Sequence, residues 1–255
     1  MSEDIIPFKV AVPQAELDDL QRRLEHARWP EAETCTGWDQ GIPLAYTREL
    51  ASYWREEYDW RRCESKLNGW PQFTTSIDGV DIHFIHVRSP HEEALPLVMS
   101  HGWPGSVIEF HKVIDALADP TSHGGDAADA FHVVAPCLPG YGFSGKPDST
   151  GTSVEKIGRM WGTLMARLGY DRYVAQGGDW GSLITQSMGM TETGHCAGIH
   201  ITMPIVAPDE ATWVWPHATD DATRRRAYND GCKSAHHTCV LNTLRYYEEH
   251  GHSDG

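Results

Sequence analysis

Short apolar runs that alternate with helical patterns constrain the fold of this chain more than any other feature of its sequence. The strand-like runs cover 95–101, 131–136, the stretch from Tyr173 toward Asp179, and about 197–203. Helical spacing of apolar residues follows three of these runs, at 107–117, 154–168 and 182–188. Continuous apolar runs of this length suit strands that are buried on both faces of a sheet. Their alternation with helices predicts an α/β domain with a mostly parallel sheet.

A β-hairpin and a helical segment are predicted ahead of these strands. Residues 73–77 and 80–88 are strand-like, and Asp78-Gly79 between them is a strong signal for a two-residue turn. The first 70 residues are rich in aromatic side chains and predict two helices, one that begins after Pro13 and one over about 44–58. The expected boundary between the two regions lies at Trp70-Pro71.

The charge of the chain excludes several classes of partner. Its 255 residues carry a formal net charge of -15, whereas phosphate binding needs a basic face, so we expect no nucleic-acid partner. The acidity also disfavours an anionic membrane surface. No run approaches the ~18 apolar residues of a membrane-spanning helix, and the acidic first residues do not resemble a secretory signal. We therefore expect a cytoplasmic protein.

The cysteines and histidines do not predict a metal site. The six cysteines are scattered and form no CxxC pair, so free thiols are the simplest interpretation. One cluster near the end of the chain does not have the spacing of a zinc site: Cys232, His236, His237 and Cys239.

The stretch Gly177-Gly178-Asp179-Trp180-Gly181 joins a strand-like run to a helical one, as a nucleophile elbow does. Its glycines let neighbouring backbone pass closely, and the start of the helix favours the negative charge of a carboxylate. A carboxylate suits attack on a saturated carbon, because water can cleave the resulting ester but not the ether that serine would form. Epoxides and alkyl halides are substrates of this kind. Asp179 is therefore the predicted nucleophile.

A second motif, His101-Gly102-Trp103-Pro104-Gly105, follows the third predicted strand. In sites built on an elbow, the loop after the third strand supplies one of the two oxyanion donors. The backbone N–H groups of Trp103 and Trp180 are the predicted pair. His101 is expected to have a structural hydrogen-bonding role, and the predicted pocket lining is His101, Pro104 and Phe143.

Eight stretches together point to one known family. They are Arg28-Trp29-Pro30, Tyr58-Asp59-Trp60-Arg61, Leu67-Asn68, Ile77-Asp78-Gly79, His83-Phe84-Ile85-His86-Val87-Arg88, His101-Gly102-Trp103-Pro104-Gly105-Ser106, Leu138-Pro139-Gly140-Tyr141-Gly142-Phe143-Ser144 and Gly177-Gly178-Asp179-Trp180-Gly181. In these stretches the chain resembles the epoxide hydrolases of the α/β-hydrolase superfamily, in the branch with an N-terminal helical extension related to the microsomal enzymes. The resemblance runs from about Ile6 to Met203 and thins toward Gly255.

The resemblance implies an architecture and a reaction. The architecture is an α/β-hydrolase fold with about six of its eight strands: a helical extension over 1–70, a core over 71–204 and the start of a lid over 205–255. The reaction is attack by Asp179 on a small apolar epoxide, followed by hydrolysis of the covalent ester to a vicinal diol. It needs no metal or organic cofactor. The resemblance also implies a cis Trp103–Pro104 bond, and a homodimer is left open.

The family pattern continues beyond the last predicted strand. The resemblance implies lid tyrosines that protonate the epoxide oxygen, and an acid and a histidine after the seventh and eighth strands. Because we count six strands, we expect a C-terminally truncated chain in which Asp179 is alkylated but the ester persists. Tyr246 and Tyr247 are candidate proton donors, although packing is the simpler role for an aromatic pair. Two alternatives stay open: a haloalkane dehalogenase-like hydrolase, in which the Trp180 indole binds halide, and a non-catalytic remnant that binds apolar ligands.

Overall fold

A computed structural model of the protein describes residues 4–204, and one mixed sheet organises them. The strands are β1 (Ile6–Phe8), β2 (Gln72–Ile77), β3 (Val80–Val87), β4 (Leu95–Ser100), β5 (Phe131–Pro136), β6 (Tyr173–Gly177) and β7 (Cys196–Ile201). Their order across the sheet is β1-β2-β3-β5-β4-β6-β7. The pairs up to β3–β5 are antiparallel, and β5–β4, β4–β6 and β6–β7 are parallel. The α/β class and all six predicted strands are confirmed.

Helices cover both faces of the sheet. They are α1 (Gln14–Glu25), α2 (Leu44–Glu56), α3 (Trp60–Leu67), α4 (Ile114–Ala118), α5 (Val154–Arg167) and α6 (Trp180–Thr191), with 3-10 turns at Val107–Phe110, Pro120–His123 and Ala127–Asp129. On β5, Val134 packs in the core layer that contains α5 and α6, whereas Val133 and Ala135 face the layer that contains α4. The central strands are thus buried on both sides, which explains their continuous apolar sequence. None of the described helices is long and apolar enough to cross a bilayer.

The predicted helix over 107–117 is wrong as one element. The chain instead forms the 3-10 turn Val107–Phe110 and, four residues later, α4. Val107 and Phe110 are the buried residues of the turn, and their spacing of three suits a helix with three residues per turn. Ile114 and Ala118 are buried in α4 at a spacing of four, which suits an α-helix. The apolar pattern therefore changes period inside the segment.

Among the described strands and α-helices, β1 and α3 were not predicted. Asp59 caps the start of α3, because its side chain accepts a hydrogen bond from the Arg61 N–H at 2.9 Å. An aspartate at this position is a known sequence signal for the start of a helix. Strand β1 is only three residues long and adds to the edge of β2, with Phe8 opposite Gln72. It depends on distant contacts, because the Asn68 side chain accepts from the Val10 N–H at 2.9 Å and donates to the Val10 C=O at 2.8 Å.

Replacement of Asn68 tests how much this clamp contributes to stability. Asn68→Ala removes both hydrogen bonds to the buried Val10 backbone, and we expect the free energy of unfolding to fall by about 2 kcal/mol. Asn68→Asp keeps the acceptor for the Val10 N–H but places a carboxylate oxygen against the Val10 C=O, so it should also destabilise. Urea denaturation followed by tryptophan fluorescence measures both changes. Unfolding midpoints equal to that of the unchanged chain would contradict the assignment.

Candidate functional site

The two predicted motifs meet at one edge of the sheet. Strands β4 and β6 are parallel neighbours, and Ser100 at the end of β4 pairs with Gly177 at the end of β6. The loop that starts at His101 and the elbow that ends at Trp180 therefore leave the sheet side by side. The end of β4 is further fixed by the buried Trp161, whose indole N–H donates to the Ser100 Oγ at 2.9 Å.

The backbone of Asp179 has the strained geometry of a nucleophile elbow. Its φ of 52° and ψ of -127° lie in a region that non-glycine residues rarely adopt. Two hydrogen bonds across the turn hold it there: the Ser182 N–H donates to the Asp179 C=O at 2.9 Å, and the Ser182 Oγ donates to the Gly177 C=O at 2.9 Å. The carboxylate is thereby presented at the exposed surface, at the start of α6.

The close packing of the elbow against β4 requires glycine at position 181. A Cβ at Gly181 would lie 2.1 Å from the Ser100 carbonyl oxygen and 2.8 Å from that of His101. Both atoms belong to backbone that the sheet holds in place, so a side chain has no room. This approach brings the first turn of α6 next to the loop that follows β4.

Two backbone amides bind the Asp179 carboxylate. The Trp103 N–H donates to Oδ1 at 2.8 Å, and the Trp180 N–H also hydrogen-bonds to the carboxylate. These two hydrogen bonds hold the pKa of Asp179 below its ordinary value of 3.8, and the bond from Trp103 has the larger effect. The amides predicted as oxyanion donors are therefore adjacent to the carbon that would become the ester carbonyl.

His101 aims the Trp103 N–H by holding the carbonyl of the same peptide. The Gly102 C=O accepts from the His101 ring at Nδ1, 2.9 Å away, and from the Gly105 N–H at 2.9 Å. The His101 Nε2 accepts from the Leu138 N–H at 3.0 Å, so the ring proton must be on Nδ1. In a trans peptide the N–H points opposite to the C=O, which directs the Trp103 N–H toward Asp179.

His101 thus has the structural role that the sequence predicts. Its side chain is fully buried, and burial lowers its pKa, which favours the neutral ring that this hydrogen-bonding pattern requires. It does not offer an open ring nitrogen to a substrate, because Nδ1 is engaged by the Gly102 C=O and Nε2 by the Leu138 N–H.

The remaining predicted site residues lie in different environments. The Trp103–Pro104 bond is cis, as expected, and Pro104 is exposed. The indoles of Trp103 and Trp180 are 65% and 50% exposed next to the carboxylate. Phe143 packs against Phe8 and His83, so its place in the pocket wall stays a prediction. Tyr246 and Tyr247 lie outside the described residues.

One residue of this site was missed in the sequence. The Glu109 carboxyl lies against the turn at Gly105 and accepts a hydrogen bond from the Gly102 N–H. An acidic residue in the first turn of the short helix that follows Ser106 was the available signal. Within residues 4–204, no cluster of His, Cys, Asp and Glu has the arrangement of a metal site, and Cys35, Cys63, Cys137 and Cys196 are free thiols.

Comparison with known proteins identifies the family. The family model described as epoxide hydrolase N terminus matches residues 5–110, and the model described as alpha/beta hydrolase fold matches residues 96–230. A Stigmatella aurantiaca protein whose provisional name is epoxide hydrolase is 54% identical over 206 residues, which are 81% of this chain and 47% of that protein. Epoxide hydrolase 1 of Oryctolagus cuniculus is 39% identical over 214 residues, or 82% of this chain and 47% of its own.

A solved structure shows the same architecture. The Aspergillus niger epoxide hydrolase superposes with a TM-score of 0.71 at 33% identity, over 81% of this chain and 54% of that one. The chain spans about half the length of the curated relatives it matches. On these matches, the protein belongs to the α/β-hydrolase fold family and is homologous to epoxide hydrolases through both its N-terminal segment and its core.

Proposed function

We propose that Asp179 opens an epoxide and carries the product as a covalent ester. One carboxylate oxygen forms a bond to an epoxide carbon, and the carbon–oxygen bond of the ring breaks. Its electron pair moves to the epoxide oxygen, which takes up a proton from water. The oxygen held by the Trp103 N–H becomes the ester carbonyl. The low pKa of Asp179 supports this role, because the carboxylate is ionised throughout the neutral range.

Hydrolysis of the ester would use the same two amides. Water adds to the ester carbonyl, negative charge develops on the oxygen next to the Trp103 and Trp180 N–H groups, and collapse releases the diol and regenerates the carboxylate. This step needs a base to take a proton from the water. In residues 4–204, no histidine hydrogen-bonds to Asp179, and His101 is engaged elsewhere. We therefore propose ester formation as the step for which residues 4–204 supply the reacting group.

The single observation that carries the proposal is the 2.8 Å hydrogen bond from the Trp103 N–H to the carboxylate of a strained, exposed Asp179. A carboxylate with a purely structural role would not need a strained backbone or an exposed position. The homology to epoxide hydrolases supports the substrate class.

Incubation with a reactive apolar epoxide, styrene oxide, tests the proposal. We expect intact-protein mass spectrometry to show one added epoxide per chain and peptide mapping to place it on Asp179. Epoxide consumption, followed by chromatography, should stop at about one equivalent per chain, and no diol should be released. Absence of an adduct on Asp179 together with absence of diol would refute the proposal, and sustained diol release would refute its restriction to the first step.

The same incubations separate the alternatives. The Trp180 indole is exposed next to Asp179, where a dehalogenase would place a halide donor. Release of chloride from 1-chlorohexane at a rate above that of styrene oxide consumption would favour that function. Reversible binding of styrene oxide without a covalent product would favour a non-catalytic apolar-ligand site.

A further inference from the structure

The side chain of Glu109 is exposed at the surface and lies against the His101–Gly105 turn. Glu109 lies on the 3-10 turn Val107–Phe110, and its N–H donates to the Ser106 C=O at 3.0 Å. Its side chain folds back against Gly105: a Cβ at that glycine would lie 1.4 Å from the Glu109 Oε1 and 2.6 Å from its Cδ. The carboxyl therefore occupies the place that a side chain at position 105 would otherwise take.

This placement lets Glu109 hold the peptide that precedes the oxyanion donor. Its carboxyl accepts a hydrogen bond from the Gly102 N–H, while the Gly102 C=O is held by His101 and by the Gly105 N–H. Both the N–H and the C=O of Gly102 are thus held in place. The Cα of Gly102 lies next to the nucleophile, since a Cβ built on it would lie 2.5 Å from the Asp179 Oδ1.

We propose that Glu109 is a positioning residue of this site, which holds the Gly102–Trp103 segment so that the Trp103 N–H points at the Asp179 carboxylate. The inference rests on the proposed function of Asp179 only in the experiment that measures alkylation of Asp179 by an epoxide. Glu109 acts through Gly102 and not on the reacting atoms.

The charge of Glu109 provides a readout that a purely structural role would not move. Although the side chain is exposed, partial desolvation beside the turn raises the pKa of Glu109 above its ordinary value of 4.5. The Gly102 N–H opposes that shift, and the charge of Asp179 adds to it. Asp179 titrates below 3.8, so between the two pKa values Asp179 is ionised and Glu109 is protonated. An ionised acceptor binds the Gly102 N–H more strongly than a protonated one. The rate at which an epoxide alkylates Asp179 should therefore rise as the pH increases through the pKa of Glu109.

The other titratable groups near Glu109 are few. Asp179 faces it from the elbow, and His101 lies at the end of β4 with a lowered pKa. His111 and Lys112 follow its own helical turn in the sequence. All four residues are still present when Glu109 is substituted, so the parent chain and the variant differ only by the Glu109 carboxyl and its interactions.

The first experiment measures the rate of alkylation by styrene oxide between pH 3.5 and 7 in the whole chain. At neutral pH, we expect Glu109→Gln to lower the rate about tenfold, since a charged hydrogen bond becomes a neutral one. In addition, the alkylation rate of Glu109→Gln should no longer rise with pH above pH 4.5. Glu93→Gln removes the same charge from an exposed loop before β4 and should leave the profile unchanged. A Glu109→Gln profile that matches the parent in rate and shape would overturn the inference.

The second experiment needs no epoxide and so separates the inference from the proposed function. In protein labelled with 15N-tryptophan, the backbone amide of Trp103 is assigned by its loss in Trp103→Phe. We expect its chemical shift to follow a titration above pH 4.5 in the parent chain, and this titration to be absent in Glu109→Gln. Identical titration curves for the Trp103 amide in both proteins would overturn the inference. Failure of the parent chain to react with styrene oxide would instead count against the proposed function.

Discussion

Asp179→Asn is expected to abolish covalent capture of epoxides while leaving the fold intact. The amide is nearly the same size as the carboxylate but is neutral and a poor nucleophile, so adduct formation should fall by a factor on the order of 10⁴ or more. Intact-protein mass spectrometry after equal incubation with styrene oxide gives the comparison. The prediction has a large expected effect because the other groups of the site, the Trp103 and Trp180 amides, only orient and stabilise charge.

An exposed aspartate provides the matched control for this experiment. Asp148 lies on the loop before α5 and is exposed, so Asp148→Asn should react with the epoxide as the unchanged chain does. A melting temperature close to that of the parent would show that Asp179→Asn is folded. If the asparagine variant still gained one epoxide at the parent rate, another residue would have to be the nucleophile.

Gly181→Ala is expected to have the largest effect on stability. The added methyl group would lie 2.1 Å from the Ser100 carbonyl oxygen and 2.7 Å from its carbon, so α6 and the end of β4 would have to separate. Both elements are parts of the buried core, and overpacking of this kind should lower the free energy of unfolding by about 3 kcal/mol. Urea denaturation of both proteins measures the difference.

Gly194 offers a control for the same substitution in open space. A Cβ at Gly194 would have no heavy atom within 4 Å, and its backbone does not have a positive φ. Gly194→Ala should therefore leave the unfolding midpoint nearly unchanged or raise it slightly. Equal unfolding midpoints for Gly181→Ala and Gly194→Ala would contradict the prediction, because they would show that the elbow and β4 can move apart at little cost in stability.

Much of the core could be predicted because its signals are local. The apolar runs at 95–100 and 131–136 are strands that are buried on both faces, and this environment leaves a readable pattern in neighbouring residues. The elbow was predictable for a similar reason: a strained turn between a strand and a helix requires small residues at positions 177 and 181, two residues before and after Asp179. Between Val107 and Ala118 the spacing of the buried apolar residues changes from three to four, and there the prediction of one helix was wrong.

The sequence by itself determined the α/β class, the strand order along the chain and the identity of the candidate nucleophile, because each depends on residues close together in the chain. Only the tertiary structure decided how the Trp103 N–H comes to point at Asp179, 76 residues away. It also decided that His101 is neutral, through a hydrogen bond from Leu138, and that β1 adds to the sheet, through Asn68. Such contacts join single polar groups across the fold, so they follow no period in the sequence and exist only once the strands have paired.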